Sequence, residues 1–299
     1  MSDLLQQIVS GLASGGIYGS LALALVLIHR ATGIINFAQG EMATFSTYIL
    51  WTLTVNHGWS YWPAFAFTLA VSFGGGLGLY QFVIRPNERG SVLRVVIVTI
   101  GLLILFNGLV QLIWGGEVRA VDSTFPSGTF TVRDVAIAWQ DIGTICVSLG
   151  VVVLLWLFFQ FTKIGLAMRA ASVNPAEARL VGVRVGWMLG LGWGLAAVLG
   201  AVAGALTAPS VFLDPTMMQP ILIYAFAAAI LGGIDSPVGA VVGGLSLGVL
   251  LNVLSWLSQY AIFDWFTEEL RLPTALAIIL GVLLVRPAGL FGRVVVKKV

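Results

Sequence analysis

A carboxylate stands where the chain has little use for charge. The stretch IINFAQGEMATF, residues 34–45, sets Asn36, Gln39 and Glu41 between two long apolar runs. Asn36 followed three residues on by Gln39 predicts a capping box, with Asn36 accepting from the backbone of the first helical turn and Gln39 reaching back. Glu41, in the next turn, complements the positive end of the helix dipole, worth roughly 0.3–1 kcal/mol. The same residues fit a second chemistry. A helix that begins inside a membrane protein offers amide N–H groups and a carboxylate to ionic parts of a passing solute, and an ionisable group at that depth is costly unless it faces a cavity or a partner. Asn107 and Gln111, four apart on one helix face, and Asn252 add further amides that either bond between helices or line the same pathway. Both readings stay open for all of these residues.

Covalent chemistry finds no support. GLSLG at 244–248 matches a serine-nucleophile pattern, but Ser246 sits in a long apolar helical run and not in the strained strand-to-helix turn that exposes such a hydroxyl. The two histidines, His29 and His57, fall in turns of opposite predicted sidedness, and no HExxH or GxxxxGK[ST] motif occurs. Cys146 is the one cysteine, which rules out an intrachain disulfide and a cysteine-rich metal site. The chain is expected to be no enzyme, to hold no cofactor or metal, and to bind no nucleic acid.

The elements that must position the polar residues are set by composition. At 59% hydrophobic and 9% charged, with mean hydropathy +1.00, the chain is too apolar for a water-soluble core. It reads as an all-α, polytopic membrane bundle, one transmembrane domain over 1–299 that associates with lipid. Crossing the hydrocarbon takes about 20 apolar residues, and candidate segments lie at 8–28, 36–55, 62–84, 93–114, 141–162, 187–208, 221–235, 238–256 and 273–286. The 221–235 run is short enough to be broken or re-entrant, giving eight to ten crossings. The first run lacks a basic flank and a cleavage site and reads as a retained span. Twelve of the fifteen Lys and Arg residues fall at Arg30, Arg85, Arg89, Arg94, at Lys163, Arg169, Arg179, Arg184, and at Arg286, Arg293, Lys297, Lys298. Arg119, Arg133 and Arg271 instead share loops with Glu117, Asp122, Asp134, Asp141, Asp264, Glu268 and Glu269. By the positive-inside rule the first set is cytoplasmic, and so is the C-terminus. Four-residue glycine spacings at Gly11–Gly15–Gly19, Gly200–Gly204, Gly239–Gly243 and Gly244–Gly248 predict close helix packing.

The longest polar cytoplasmic segment, KIGLAMRAASVNPAEARLVGVRVG at 163–186, has Asn174 as N-cap, Pro175 at the first helical position and a short helix over 176–181 ended by Gly182. Its exposed face carries Glu177 and Arg179, either as a solvated connector or as a docking knob for a soluble partner. GGIDSP at 232–237 is a second break, with Asp235 and Ser236 placed to cap the following helix. Asp214 and Gln219 are expected near the outer surface.

These stretches carry a resemblance. GGIYGSLALALVLIHRATGIINFAQGEM at 15–42, NPAEARLVGV at 174–183, LGGIDSPVGAVVGGLSLGVL at 231–250 and VRPAGLFG at 285–292 are similar to the LivH-type permease of branched-chain amino acid ABC transporters. The 163–186 segment resembles the coupling loop of ABC importer permeases, although Arg179 stands at the second alanine of the usual pattern and Gly182 comes one residue early. The resemblance implies a bacterial inner-membrane location, a second homologous permease subunit, two ATP-binding cassette subunits and a periplasmic substrate-binding protein. It implies leucine, isoleucine and valine as substrates, with urea, short amides or other amino acids as alternatives. The rival class is a self-contained channel or secondary transporter, disfavoured by the cytoplasmic loop.

Overall fold

The computed structural model describes residues 2–88, 90–126, 128–132, 135–260, 267–286 and 288–292. Arg89, Arg133, Asp134, Asp264, Arg293, Lys297 and Lys298, which enter the orientation argument, lie outside the described residues, as does Pro287 of the VRPAGLFG stretch. Every apolar segment picked out above is helical. In chain order the helices are α1 (Ser2–Thr32), α2 (Gln39–Trp51), α3 (Tyr61–Leu79), α4 (Arg85–Asn87), α5 (Val92–Trp114), α6 (Trp139–Phe161) and α7 (Lys163–Val173). They continue as α8 (Pro175–Leu180), α9 (Val185–Val211), α10 (Met218–Gly232), α11 (Pro237–Leu257) and α12 (Arg271–Val285). Stretches of π-helix extend α2 over Thr52–Asn56 and join α3 to α4 over Tyr80–Ile84. Among the described residues six helices are long and apolar enough to cross a membrane, and α10 and α12 are shorter apolar helices. The protein is an all-α, polytopic membrane bundle.

The loop before α6 holds a feature the sequence reading did not place. β1 (Thr129–Val132) pairs antiparallel with β2 (Val135–Ala138), Thr129 opposite Ala138. Each strand has four residues, too few to stand out by periodicity from the apolar run that follows.

Two compact units make up the fold. The first comprises the chain up to Val26, Ser123–Leu149 and the chain from Pro220. Here the glycines of α1 meet those of α11 backbone to backbone. A Cβ at Gly15 would stand 2.7 Å from both Gly244 O and Leu245 Cα, and one at Gly11 2.7 Å from Val249 Cα. Removing side chains lets dispersion act between two main chains, which in lipid replaces the hydrophobic drive that water supplies. Gly15→Leu is therefore expected to cost about 1–3 kcal/mol through overpacking, read as a lowered melting temperature in detergent. Gly74→Ala, where nothing lies within 4 Å, should leave it unchanged.

The break between α10 and α11 is closed from two directions. Ser236 Oγ accepts from Gly239 N at 3.0 Å with Pro237 in the first turn, so the serine supplies the predicted cap. The VRPAGLFG stretch folds back onto the end of α10, where Leu290 N donates to Leu231 O at 2.9 Å and Phe291 N to Gly232 O at 3.0 Å. These carbonyls would otherwise be left without a helical partner.

The second unit comprises Leu27–Asp122 and Gly150–Gln219. Its core is α9, apolar around its circumference and buried along most of its length. α3 approaches it closely enough that a Cβ at Gly76 would stand 2.6 Å from Trp193 O. α2 approaches at Gly200, where a Cβ would meet Gln39 Nε2 at 2.8 Å, and at Gly204. The glycine spacing on α9 is thus what admits the polar start of α2 to the interior.

Candidate functional site

The site is built where α2 begins. Its N-cap position is Ala38, which makes no side-chain cap, so the predicted capping box does not form. Asn36 Oδ1 accepts instead from Ala38 N at 3.1 Å, a bond to the backbone two residues on, and Asn36 Nδ2 donates to Gln39 Oε1 at 3.2 Å. Gln39 does not reach back to the backbone, because its amide is drawn across to α9 and donates to Ala196 O at 2.8 Å. Asn36 and Gln39 are fully buried, and this chain of bonds satisfies them.

Glu41 does more than face a dipole. The residue is 2% exposed, with Gln219 Nε2 donating to Oε1 at 2.9 Å and Asn107 Nδ2 donating to Oε2 at 3.3 Å. Both partners present N–H groups, the set that suits an acceptor-only carboxylate. Asn107 is itself held, donating to Pro215 O at 3.1 Å and accepting from Gln111 Nε2 at 2.6 Å, which orients its amide toward Glu41. The predicted pair Asn107 and Gln111 is therefore bonded to itself and to Glu41. Asn252 bonds within its own helix, its Nδ2 donating to Gly248 O at 3.0 Å one turn back in α11.

Above the carboxylate along the facing sides of α2 and α5 lies an aromatic wall. Phe45 meets Phe106 at 5.4 Å and Trp114 at 5.5 Å between ring centroids, and Tyr48 meets Trp114 at 5.2 Å. Trp114 Nε1 donates to Thr52 Oγ1 at 2.7 Å, while the fully buried Tyr48 hydroxyl has no partner. Arg119 stacks over the Trp51 ring at 4.3 Å and pairs its backbone with Leu213, N to O at 2.9 Å and O from N at 2.8 Å. An adjoining apolar cavity of about 350 Å³, sharing Phe45 and Phe106 with that wall and lined also by Met42, Ile49, Val71 and Leu79, offers no ionic group. Its two hydroxyls, Ser46 and Ser72, are bonded to each other at 2.8 Å.

Gln219, expected at the outer surface with Asp214, is part of the Glu41 group, whereas Asp214 Oδ1 is occupied by Thr216 N and Oγ1, each at 2.7 Å. No spacing rule links Gln219 to Glu41, 178 positions earlier. As it stands the arrangement is a buried carboxylate whose two oxygens each accept an amide N–H, beside the aromatic side chains of α2 and α5. Among the described residues no cluster of His, Cys, Asp or Glu could hold a metal.

The 163–186 segment takes the form that its caps dictate. Thr162 caps α7 by accepting from Gly165 N at 2.9 Å, and Asn174 caps α8 by accepting from Glu177 N at 3.3 Å, with Pro175 in the first turn. At the far end Gly182, φ +85°, donates to Arg179 O at 3.1 Å while Val183 N donates to Ala178 O at 3.0 Å. That is a Schellman ending, for which glycine is suited because its φ is positive. Glu177 and Arg179 are exposed as expected. The sequence reading missed the apolar partners beside them, Leu180 at 87% and Val181 at 78% exposure. Behind α8, Tyr80 Oη donates to Glu88 Oε2 at 3.2 Å. Burial pushes the Glu88 carboxyl above its ordinary range, opposed by that bond and by the charges of Arg85 and Arg179.

Comparison with known proteins adds the following. The family described as "Branched-chain amino acid transport system / permease component" matches residues 7–286. The chain is 30% identical to the high-affinity branched-chain amino acid transport system permease protein BraD of Pseudomonas aeruginosa, covering 99% of this chain and 98% of that one. It is 28% identical to the corresponding LivH of Escherichia coli K12, covering 99% and 97%. A probable branched-chain amino acid transport permease, LivH of Methanocaldococcus jannaschii, is 29% identical over 91% of this chain and 87% of its own.

Proposed function

Since the chain belongs to the permease component family of branched-chain amino acid transport systems, we propose that it is the membrane subunit of an ABC importer for leucine, isoleucine and valine. The observation that carries this reading is the family match over residues 7–286, which takes in every helix that positions the Glu41 group. The chain acts as one permease domain in a bacterial inner membrane, C-terminus inside, and contributes no covalent chemistry. It pairs with a second homologous permease, two ATP-hydrolysing subunits and a periplasmic binding protein. The 163–186 segment docks an ATPase through Glu177, Arg179 and the exposed Leu180 and Val181, with Asn174, Pro175 and Gly182 giving α8 its shape. Asn36, Gln39, Glu41, Asn107 and Gln111 form the polar part of the pathway, at which an ionised Glu41 attracts the substrate's ammonium. An ammonium meeting a carboxylate in low dielectric forms a charge-assisted hydrogen bond about twice as strong as a neutral one.

The test is reconstitution of the assembled complex in liposomes with radiolabelled leucine. ATP-dependent uptake that requires every partner supports the reading, and competition by urea or a short amide in place of leucine would replace its substrate. This chain alone is expected to give no uptake under a proton or sodium gradient. Robust gradient-driven uptake by the lone chain would make it a secondary transporter.

A further inference from the structure

This inference rests on the transport reading of the Glu41 group and adds a residue to it. Gln219 sits in the first turn of α10, directly after the segment Phe212–Met217, and its amide occupies Glu41 Oε1 at 2.9 Å. The segment is fastened at two further points: Leu213 pairs with Arg119, and Pro215 O accepts from Asn107 Nδ2 at 3.1 Å. At its start Phe212 has φ +66°, the one non-glycine residue in the left-handed region among those described. A bulky residue holds that conformation only where its surroundings impose it. The Glu41 carboxylate is buried while Gln219 and Gln111 lie at the exposed edge of the group, so the amide and not the acid is free to swing away.

We propose that Phe212–Met217 is a strap across the Glu41 carboxylate and that Gln219 is its latch, holding the position that a substrate ammonium takes. The exchange follows from the donors concerned. With no substrate present, the Gln219 N–H keeps a buried carboxylate from being left bare, a state that is costly. An ammonium offers the same carboxylate a stronger, charge-assisted bond, so an amine-bearing substrate displaces the amide and a neutral solute does not. Asn107 remains in place throughout, because Gln111 holds its oxygen at 2.6 Å. Gln219 is thereby a specificity-determining residue for the amine.

The experiment uses the assembled, detergent-solubilised complex with Cys146→Ser, which removes the one cysteine, and Met217→Cys as reporter. Met217 is buried at 5% exposure within the strap, so its alkylation by N-ethylmaleimide is expected to be slow. Gln219→Ala and Gln219→Glu should each raise the rate at least tenfold, and leucine with its binding protein should raise it in the complex with Gln219 intact. The 2-hydroxy analogue of leucine, which lacks the amine, should not. Exchanging the pair as Glu41→Gln with Gln219→Glu rebuilds the hydrogen bond with donor and acceptor reversed, and should return the slow rate. An unchanged rate in Gln219→Ala, or no return in the exchanged pair, overturns the latch. Leucine uptake by the unsubstituted complex, reconstituted into liposomes from the same purification, judges the transport reading separately: uptake with alkylation indifferent to Gln219 removes the strap alone. Alkylation that answers to Gln219 and to leucine in a complex that imports none supports the strap and counts against the transport reading.

Discussion

A complex carrying Glu41→Gln is expected to import leucine roughly tenfold to a hundredfold more slowly, with assembly preserved. The range follows from a hydrogen bond to a charged group, about 1.5–3 kcal/mol, at about 1.4 kcal/mol per factor of ten. Part of the loss is local. Glu41 accepts from Gln219 on one oxygen and from Asn107 on the other; a glutamine there keeps its oxygen toward Asn107 and turns its N–H toward Gln219, whose amide must rotate to accept, so two bonds to a charged acceptor become weaker neutral ones. That part affects every substrate alike. The remainder belongs to the ammonium and separates substrates: leucinamide, which keeps the amine, should suffer as leucine does, and the 2-hydroxy analogue should lose far less. Initial uptake rates of the three compounds in one reconstituted complex decide the matter. Equal losses for all three would reduce Glu41 to a clamp between α2, α5 and the start of α10. Unchanged rates would leave it without a part in recognition.

The second large effect lies at α8. Replacing Glu177 and Arg179 with alanine and Leu180 with serine is expected to abolish the stimulation of ATP hydrolysis by substrate-loaded binding protein, while the chain still inserts. Exposed apolar side chains flanked by charges have the composition of an interface centre, where a few residues carry most of the binding energy and truncation of each costs upward of about 2 kcal/mol. Leu180 and Val181, at the end of α8, are not covered by any of the described residues, and Ala178 alone of that helix is buried. Gly182→Val should act on the same readout through shape, since φ +85° is strained for any residue with a Cβ. Full stimulation in the triple variant would make the segment a solvated connector. ATP hydrolysis is to be measured with pull-down of the ATPase subunits, so that lost docking is told apart from lost signalling.

What the sequence by itself determined is whatever depends on solvent and on near neighbours. Hydrophobic content placed the chain in a membrane, where every backbone polar group must be satisfied within its own helix, and each apolar segment is accordingly helical. The short-range rules succeeded where both partners lie within one turn and no distant group competes for either: Asn174 with Glu177, Pro175 at the helix start, Gly182 at its end, Ser236 with Gly239. The glycine stripes of α1 and α11 were legible because four-residue spacing puts a flat face on a helix regardless of its neighbour. The capping box at Asn36 and Gln39 failed for the complementary reason: a carbonyl of α9, at Ala196, offers the Gln39 amide a bond inside a dry interior, and a local rule has no account of a partner 157 residues away. Tertiary structure alone decided that Glu41 meets Asn107 and Gln219 and that the stretch after α12 closes the end of α10. A buried polar atom in a membrane bundle takes whichever donor or acceptor the packing brings to it, and the packing is set by side-chain volumes summed over helices far apart in the chain.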